Sequence, residues 1–105
     1  MEIVVYWRPG CMFCSSLLRK LDNSAVPYQS INIWDDVDAA ATVRAIADGN
    51  ETVPTVVVGP VSLVNPSFDE VLVAASEHSP DAVPADWEPK QPGKLARWIT
   101  DKLGG

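Results

Sequence analysis

Apolar positions along the chain change period several times, and each change marks a new element. Ile3, Val4, Val5, Tyr6 and Trp7 form an unbroken, β-branched-rich run, the pattern of a strand buried on both faces and therefore central in a sheet. Pro9 and Gly10 interrupt it. Cys14, Leu17, Leu18 and Leu21 then fall at i, i+3, i+4 and i+7, one stripe of an amphipathic helix that ends near Asp22, Asn23 and Ser24. Beyond Pro27, the residues Tyr28, Ser30, Ile31 and Ile33 suit a second strand. Asp35 and Asp36 supply N-cap and first-turn acids for a second helix. Its buried stripe is expected to hold Val37, Ala40, Val43 and Ala47 with Ile46 beside it, and Gly49 and Asn50 stop it.

The runs Thr55–Val58 and Val61–Val64 are separated only by Gly59 and Pro60, so they must form an antiparallel hairpin. Pro66 and Ser67 open a third helix carrying Val71, Leu72 and Ala75, with Ser67 and Glu70 at capping-box spacing. The predicted order is β, α, β, α, β, β, α, ending near His78. From Ser79 to Gly93 the chain holds Pro80, Pro84, Pro89 and Pro92 with little periodic apolar content, which predicts an extended linker. Leu95, Trp98, Ile99 and Leu103 then recur at helical spacing. The expected organisation is a domain over 1–78 followed by a linker and short amphipathic helix over 79–105.

At 105 residues there is room for one domain with a buried core. The chain reaches its first strand at once, without a basic stretch, long apolar segment or small-residue cleavage site, so no membrane partner is expected and the cytoplasm is the expected location. The formal charge is −6 and Lys and Arg form no cluster, which argues against nucleic acid as a partner. Residues 1–78 hold 10 acids against 4 bases, whereas 79–105 hold 4 of each. The charge therefore divides where the composition does. Two cysteines are too few for a disulfide framework.

Those two cysteines, Cys11 and Cys14, stand where the first strand hands over to the first helix. A helix start offers partial positive charge and unpaired backbone N–H groups, which favour thiolate over thiol. A Cys-x-x-Cys pair alone is of moderate specificity, since zinc sites use it too. Together with Thr52-Val53-Pro54-Thr55 entering a hairpin strand, it resembles the glutaredoxins of the thioredoxin superfamily over roughly the first three quarters of the chain. The stretches Gly49 to Val56 and Leu63-Val64-Asn65-Pro66-Ser67-Phe68-Asp69-Glu70-Val71 resemble more closely the mycoredoxins, actinobacterial glutaredoxin-like proteins that use mycothiol in place of glutathione. The resemblance implies an α/β, thioredoxin-like (glutaredoxin) fold: a four-stranded mixed sheet flanked by three helices, here with a C-terminal helical extension. It implies a thiol–disulfide oxidoreductase that reduces mixed disulfides between proteins and a low-molecular-weight thiol.

On that resemblance Cys11 is the nucleophile, with Arg8 three residues earlier where many glutaredoxins carry Lys. Cys14, on the buried stripe, is the resolving thiol, or is dispensable if a second small thiol discharges Cys11. Met12 and Phe13 separate the sulfurs where glutaredoxins often have Pro and Tyr, and Met12 leaves the reduction potential open. Pro54 would be a cis-proline facing the site, with the Val53 backbone offering N–H and C=O groups to the bound thiol and Thr52 counted with them among the substrate-binding residues. Asn65 and Ser67 stand where glutaredoxins bind the charged γ-glutamyl end of glutathione; neutral side chains there suit the sugar–inositol headgroup of mycothiol, or simply cap the helix. Mycothiol, or glutathione, enters as co-substrate, with no tightly bound cofactor and no metal. The partners are disulfide-containing or S-mycothiolated proteins, and the expected state is a monomer.

Two other readings stand beside this one. An NrdH-type redoxin takes electrons from thioredoxin reductase; Arg8-Pro9-Gly10-Cys11 is compatible with it, but Asn65-Pro66-Ser67-Phe68-Asp69 replaces its Ser-Gly-Phe-Arg-Pro type of stretch. Some glutaredoxins instead hold an iron–sulfur cluster between two subunits, which would require dimerisation. His78, the single histidine, is placed for a contact with the helix dipole rather than for catalysis. Trp7 and Trp34 are core or rim aromatics, and Trp87 and Trp98 are suited to dock the tail on the domain.

Overall fold

The first strand, β1 (Ile3–Trp7), occupies the middle of the sheet, as its unbroken apolar run requires. It is followed by α1 (Met12–Asn23), β2 (Gln29–Asn32), α2 (Val37–Ile46), β3 (Thr55–Val58), β4 (Val61–Val64) and α3 (Phe68–His78). This computed structural model describes residues 3–85 and Trp87. The strand order is β2-β1-β3-β4. β1 pairs in parallel with β2 (Val5 opposite Ser30) and antiparallel with β3 (Val5 opposite Val56), and β3 pairs antiparallel with β4 (Val56 opposite Leu63). The α1 crossover is needed because parallel neighbours cannot be joined by a tight turn. The result is the mixed four-stranded sheet with three helices expected from the sequence.

Alternation along the strands divides the core between the two faces. Ile3 and Val5 of β1 and Val56 and Val58 of β3 point to one side, where Leu17 and Leu21 of α1 and Val71 and Leu72 of α3 cover them. Tyr6 and Ile31 point to the other, against Ala39 and Val43 of α2. Each fully buried aliphatic side chain contributes roughly 1.5–3 kcal/mol. Truncating Leu72, wholly buried between α3 and the sheet, would cost about 2–5 kcal/mol because a cavity adds to the lost transfer energy.

The α2 face differs from the sequence expectation. Ala39, Val43 and Ala47 are buried, whereas Val37 is 83% exposed and Ala40 only half-buried. Val43 and Ala47 lie on the stripe as expected, but Val37 is about 120° around the helix from Val43, whereas Ala39 is only about 40° from it. Asp36 is the N-cap, accepting from the N–H groups of Asp38 and Ala39, and Asp38 rather than Asp35 is the first-turn acid. Asp35 instead accepts from the Asn32 amide.

After α3 the chain makes one 3-10 turn, Pro80–Ala82, and Ala82, Val83 and Trp87 pack against the α1/α3 side of the core. Trp87 thus docks on the domain. The rest of the expected linker, Trp98 and the expected terminal helix lie outside the described residues. Among the described residues, no helix is long and apolar enough to cross a membrane.

Candidate active site

The turn between β1 and α1 delivers both sulfurs. Gly10 takes φ of +83°, a left-handed conformation in which a side chain would be strained. Cys11 then becomes the N-cap of α1, with its side chain accepting from the Cys14 backbone N–H at 3.0 Å. A position usually held by Ser, Thr, Asp or Asn is thus held by sulfur. The two cysteines are joined as a disulfide, with Cα atoms 5.2 Å apart. Their accessibilities differ: Cys11 is half-buried, whereas Cys14 is 1% exposed beneath the first turn. No acidic residue occupies the first turn of α1, so nothing there opposes negative charge on Cys11.

The segment before β3 forms the opposite wall. The Val53–Pro54 peptide bond is cis, as the resemblance implied, and Pro54 is fully buried. Cys11 Sγ lies 3.7 Å from the Val53 carbonyl oxygen, so strand and helix start meet across the site. The Thr52 carbonyl accepts from the Thr55 hydroxyl at 2.7 Å, which ties the approach to β3. Asn65 adopts φ of +51° and donates its backbone N–H to the Pro54 carbonyl at 2.7 Å. Asn is among the few residues that visit this conformation readily. This bond brings the entry to α3 beside the cis-proline.

Of the other residues singled out from sequence, Met12 and Phe13 are 84% and 70% exposed. Phe13 lines a groove of about 330 Å³ between α1 and the start of α3, together with Ser16, Lys20, Asn65, Ser67 and Glu70. Met12 borders a shallower hollow with Cys11, Ser15 and Arg19. Arg8 lies 5.9 Å from the centre of the Trp34 ring, and its Nη1 donates to the Pro9 carbonyl at 3.3 Å. Trp34 is therefore a rim aromatic, 63% exposed and holding a cation. Nothing in the sequence links positions 8 and 34; the parallel pairing of β1 with β2 brings them to the same end of the sheet. Ser67 caps α3 in a complete capping box with Glu70. Ser16, Lys20 and Glu70 also line the groove and were not expected as site residues, although the capping-box spacing pointed to the position of Glu70. Among the described residues, no three His, Cys, Asp or Glu side chains gather as a metal site.

A disulfide at a strand-to-helix turn, opposite a cis-proline that precedes an antiparallel hairpin, defines a thioredoxin-like thiol–disulfide site. The glutaredoxin family model matches residues 3–63, and the chain belongs to the glutaredoxin family. It is a glutaredoxin-type thiol–disulfide oxidoreductase. It is 37% identical to mycoredoxin 1 of Corynebacterium glutamicum over 55 residues, 52% of this chain and 67% of the relative. It is 36% identical to a candidate glutaredoxin of Mycobacterium tuberculosis over 70 residues, 66% of this chain and 83% of the relative. Among solved structures, a mutant of the thioredoxin-like protein BC3987 superposes with a TM-score of 0.64 at 21% identity, covering 71% of this chain and 95% of that one; this likeness shows the fold alone. The NrdH-redoxin of Escherichia coli superposes with a TM-score of 0.54 at 29% identity, covering 65% and 84%.

Proposed function

We propose that this protein reduces mixed disulfides between proteins and mycothiol, working as a monomer in the cytoplasm, with Cys11 as nucleophile. The observation that carries the reading is the Cys14 N–H directed at Cys11 Sγ at 3.0 Å on an acid-free helix start, which stabilises a thiolate on the more accessible sulfur. That thiolate attacks the mycothiol sulfur of the substrate. A bond forms between Cys11 Sγ and mycothiol, the protein sulfur leaves as thiolate, and it takes a proton from solvent. A second mycothiol thiolate then attacks the mycothiol sulfur on Cys11, releasing mycothiol disulfide and restoring the Cys11 thiolate. Alternatively Cys14 attacks Cys11 Sγ, releases mycothiol, and leaves the Cys11–Cys14 disulfide. In this reading Thr52, Val53 and Pro54 align the incoming disulfide through backbone groups, as an added strand would be aligned. Arg8 and Met12 border the protein side of the site, and Phe13, Asn65 and Ser67 border the small-thiol side. Residues 79–105 are an appendage to the redox domain over 1–78. Mycoredoxin 1, a relative at 37% identity, supports mycothiol as the small thiol.

The likeness to an NrdH-redoxin at 29% identity favours a second reading, reduction by thioredoxin reductase. One experiment separates them: reduction of a mixed disulfide with mycothiol, glutathione, or thioredoxin reductase and NADPH as donor, using wild type, Cys11→Ser and Cys14→Ser. Turnover with mycothiol that requires Cys11 is the expected result. Turnover only with thioredoxin reductase, requiring both cysteines, would overturn the mycothiol reading.

A further inference from the structure

Charge is divided between the redox element and the rest of the domain. Residues 3–21, which make β1, the redox turn and most of α1, contain three cations, Arg8, Arg19 and Lys20, and no Asp or Glu. Residues 22–85 contain ten acids and one cation, Arg44. Among the described residues, Arg44 is held by Glu51 in an ion pair of 2.6 Å, whereas Arg8 and Arg19 meet no carboxylate. Arg8 is engaged by the Trp34 ring and the Pro9 carbonyl, while Arg19 is exposed. Arg19 shares a hollow of about 260 Å³ with Gly10, Cys11, Met12 and Ser15. Met12, Ser15 and Arg19 follow at i, i+3 and i+7 on one face of α1, and helical side chains lean toward the N-terminus. That lean carries the guanidinium back toward the redox turn. The groove bordered by Phe13, Ser16 and Lys20 opens about 100° further round the same helix. Two concavities therefore open on separate faces of α1, and a mixed disulfide reacting at Cys11 has two halves to place.

We propose that Arg19 is a specificity-determining residue for the protein half of the disulfide: the face made by Met12, Ser15 and Arg19 receives an acidic segment of the protein substrate, with a carboxylate set against the Arg19 guanidinium. This rests on the reading of Cys11 as the nucleophile. Arg19 stands eight residues along α1 from Cys11, about 12 Å of helix axis. An extended chain advances about 3.3 Å per residue, so the acid belongs within about four residues of the substrate cysteine. The formal charge of −6 opposes an acidic partner as a whole. At about 0.1 M salt, however, charges more than about 10 Å away are largely screened, while Arg19 acts at contact range in the hollow that Cys11 itself borders. The local cation thus selects which side of an approaching protein faces the sulfur.

The test is a double-mutant cycle between protein charge and peptide charge, read as a stoichiometric exchange that needs no electron donor. Reduced Cys14→Ser protein is mixed with disulfides of 2-mercaptoethanol, a neutral thiol, and cysteine peptides that carry either Glu or Lys within about four residues of the cysteine, on its N-terminal side in one pair and its C-terminal side in another. The Cys11 thiolate forms a bond to one sulfur of the disulfide, the other sulfur leaves as thiolate and takes a proton from solvent, and mass spectrometry follows the loss of reduced protein. The same peptides are given to Cys14→Ser proteins that also carry Arg19→Gln, Arg19→Glu or, as a remote change of charge in the last turn of α3, Glu77→Gln; circular dichroism checks that each is folded. Because peptide charge alters the disulfide's own reactivity equally for every protein, only the change in the acidic-to-basic rate ratio counts. At about 0.1 M salt that ratio is expected to fall about threefold with Arg19→Gln and about tenfold with Arg19→Glu, and to stay unchanged with Glu77→Gln. Near 1 M salt, where the Debye length is about 3 Å, the differences are expected to shrink. A ratio that ignores both Arg19 substitutions, on either side of the cysteine, overturns the role of Arg19 and leaves Cys11 as nucleophile. A ratio that moves as far with Glu77→Gln also overturns it, since net charge rather than this face would then be acting. Failure of every peptide to react overturns the nucleophile reading together with the proposal.

Discussion

The starts of α1 and α3 border one groove and are finished in opposite ways. At α1 the N-cap is a sulfur, the first turn has no acid, and the Cys14 N–H is spent on Cys11 Sγ. At α3 the cap is a Ser–Glu capping box, with Asp69 and Glu70 both in the first turn. Both solve the same problem, the unpaired N–H groups at a helix start. Where carboxylates satisfy it, the helix is stabilised and its positive end is neutralised. Where a cysteine satisfies it, that same positive end remains available to a reacting sulfur.

The largest expected effect comes from removing the sulfur that caps α1. Cys11→Ser keeps an N-cap oxygen and is expected to fold, yet to lose mixed-disulfide reduction by at least about a thousandfold; residual turnover near wild type would remove Cys11 from the chemistry. The next sharpens the comparison by making α1 resemble α3. Met12→Glu places a carboxylate in the first turn at an exposed position, and in the reduced protein iodoacetamide alkylation of Cys11 at pH 7 is expected to slow about threefold to fivefold. An unchanged alkylation rate would mean that the acid-free start of α1 does not matter to the thiolate. The converse change is at α3: Ser67→Ala is expected to lower stability by about 1 kcal/mol in urea unfolding, with Ser67→Asp recovering most of it. Equal stability of all three proteins would contradict a structural role for the capping box.

The smallest effect lies at the far end of α1. The Tyr28 hydroxyl donates to Asp22 at 2.7 Å, and this hydrogen bond, with burial and the Asp22 charge adding to it, pushes the tyrosine pKa up to about 12. Since the folded value lies above the ordinary value of about 10, the protonated hydroxyl is favoured in the folded state. Its contribution is whole below about pH 10 and is lost as pH rises from about 10 to about 12. Because the pair faces solvent, that contribution is at most about 1 kcal/mol. Ultraviolet titration should show one late-ionising tyrosine in the wild type, returned toward the ordinary range by Asp22→Asn; a titration unaltered by that substitution would disprove the contact.

Much of this arrangement was legible before any coordinates. The central position of β1, the β3–β4 hairpin, the stripe of Cys14, Leu17 and Leu21, and the Ser67–Glu70 capping box all rest on spacings of two to four residues. The cis bond before Pro54 followed from family resemblance rather than from physics. At α2 only part of the stripe was legible: Val43 and Ala47 are buried, but Val37, apolar by type, lies about 120° around the helix from Val43, while Ala39 lies about 40° from it. Val37 consequently faces solvent and Ala39 the core. Trp34 could be placed only as a core or rim aromatic, since its partner Arg8 is remote in the chain and is reached only through strand pairing.

By itself, then, the sequence determined the class of chemistry and the layout of elements. A paired thiol at a strand-to-helix turn, alternating and helical apolar periods, and turn residues at the breaks are all local patterns, and local patterns act through neighbours a few residues away. Only the tertiary structure decided that the Val53 carbonyl faces Cys11, that Asn65 is tied to Pro54, that Arg8 rests over Trp34, and that Glu70 lines the groove beside Phe13. Each of these joins residues that are distant in the chain. Their meeting depends on which strands pair, in which direction and in which register, and those choices are settled when the whole core is buried together.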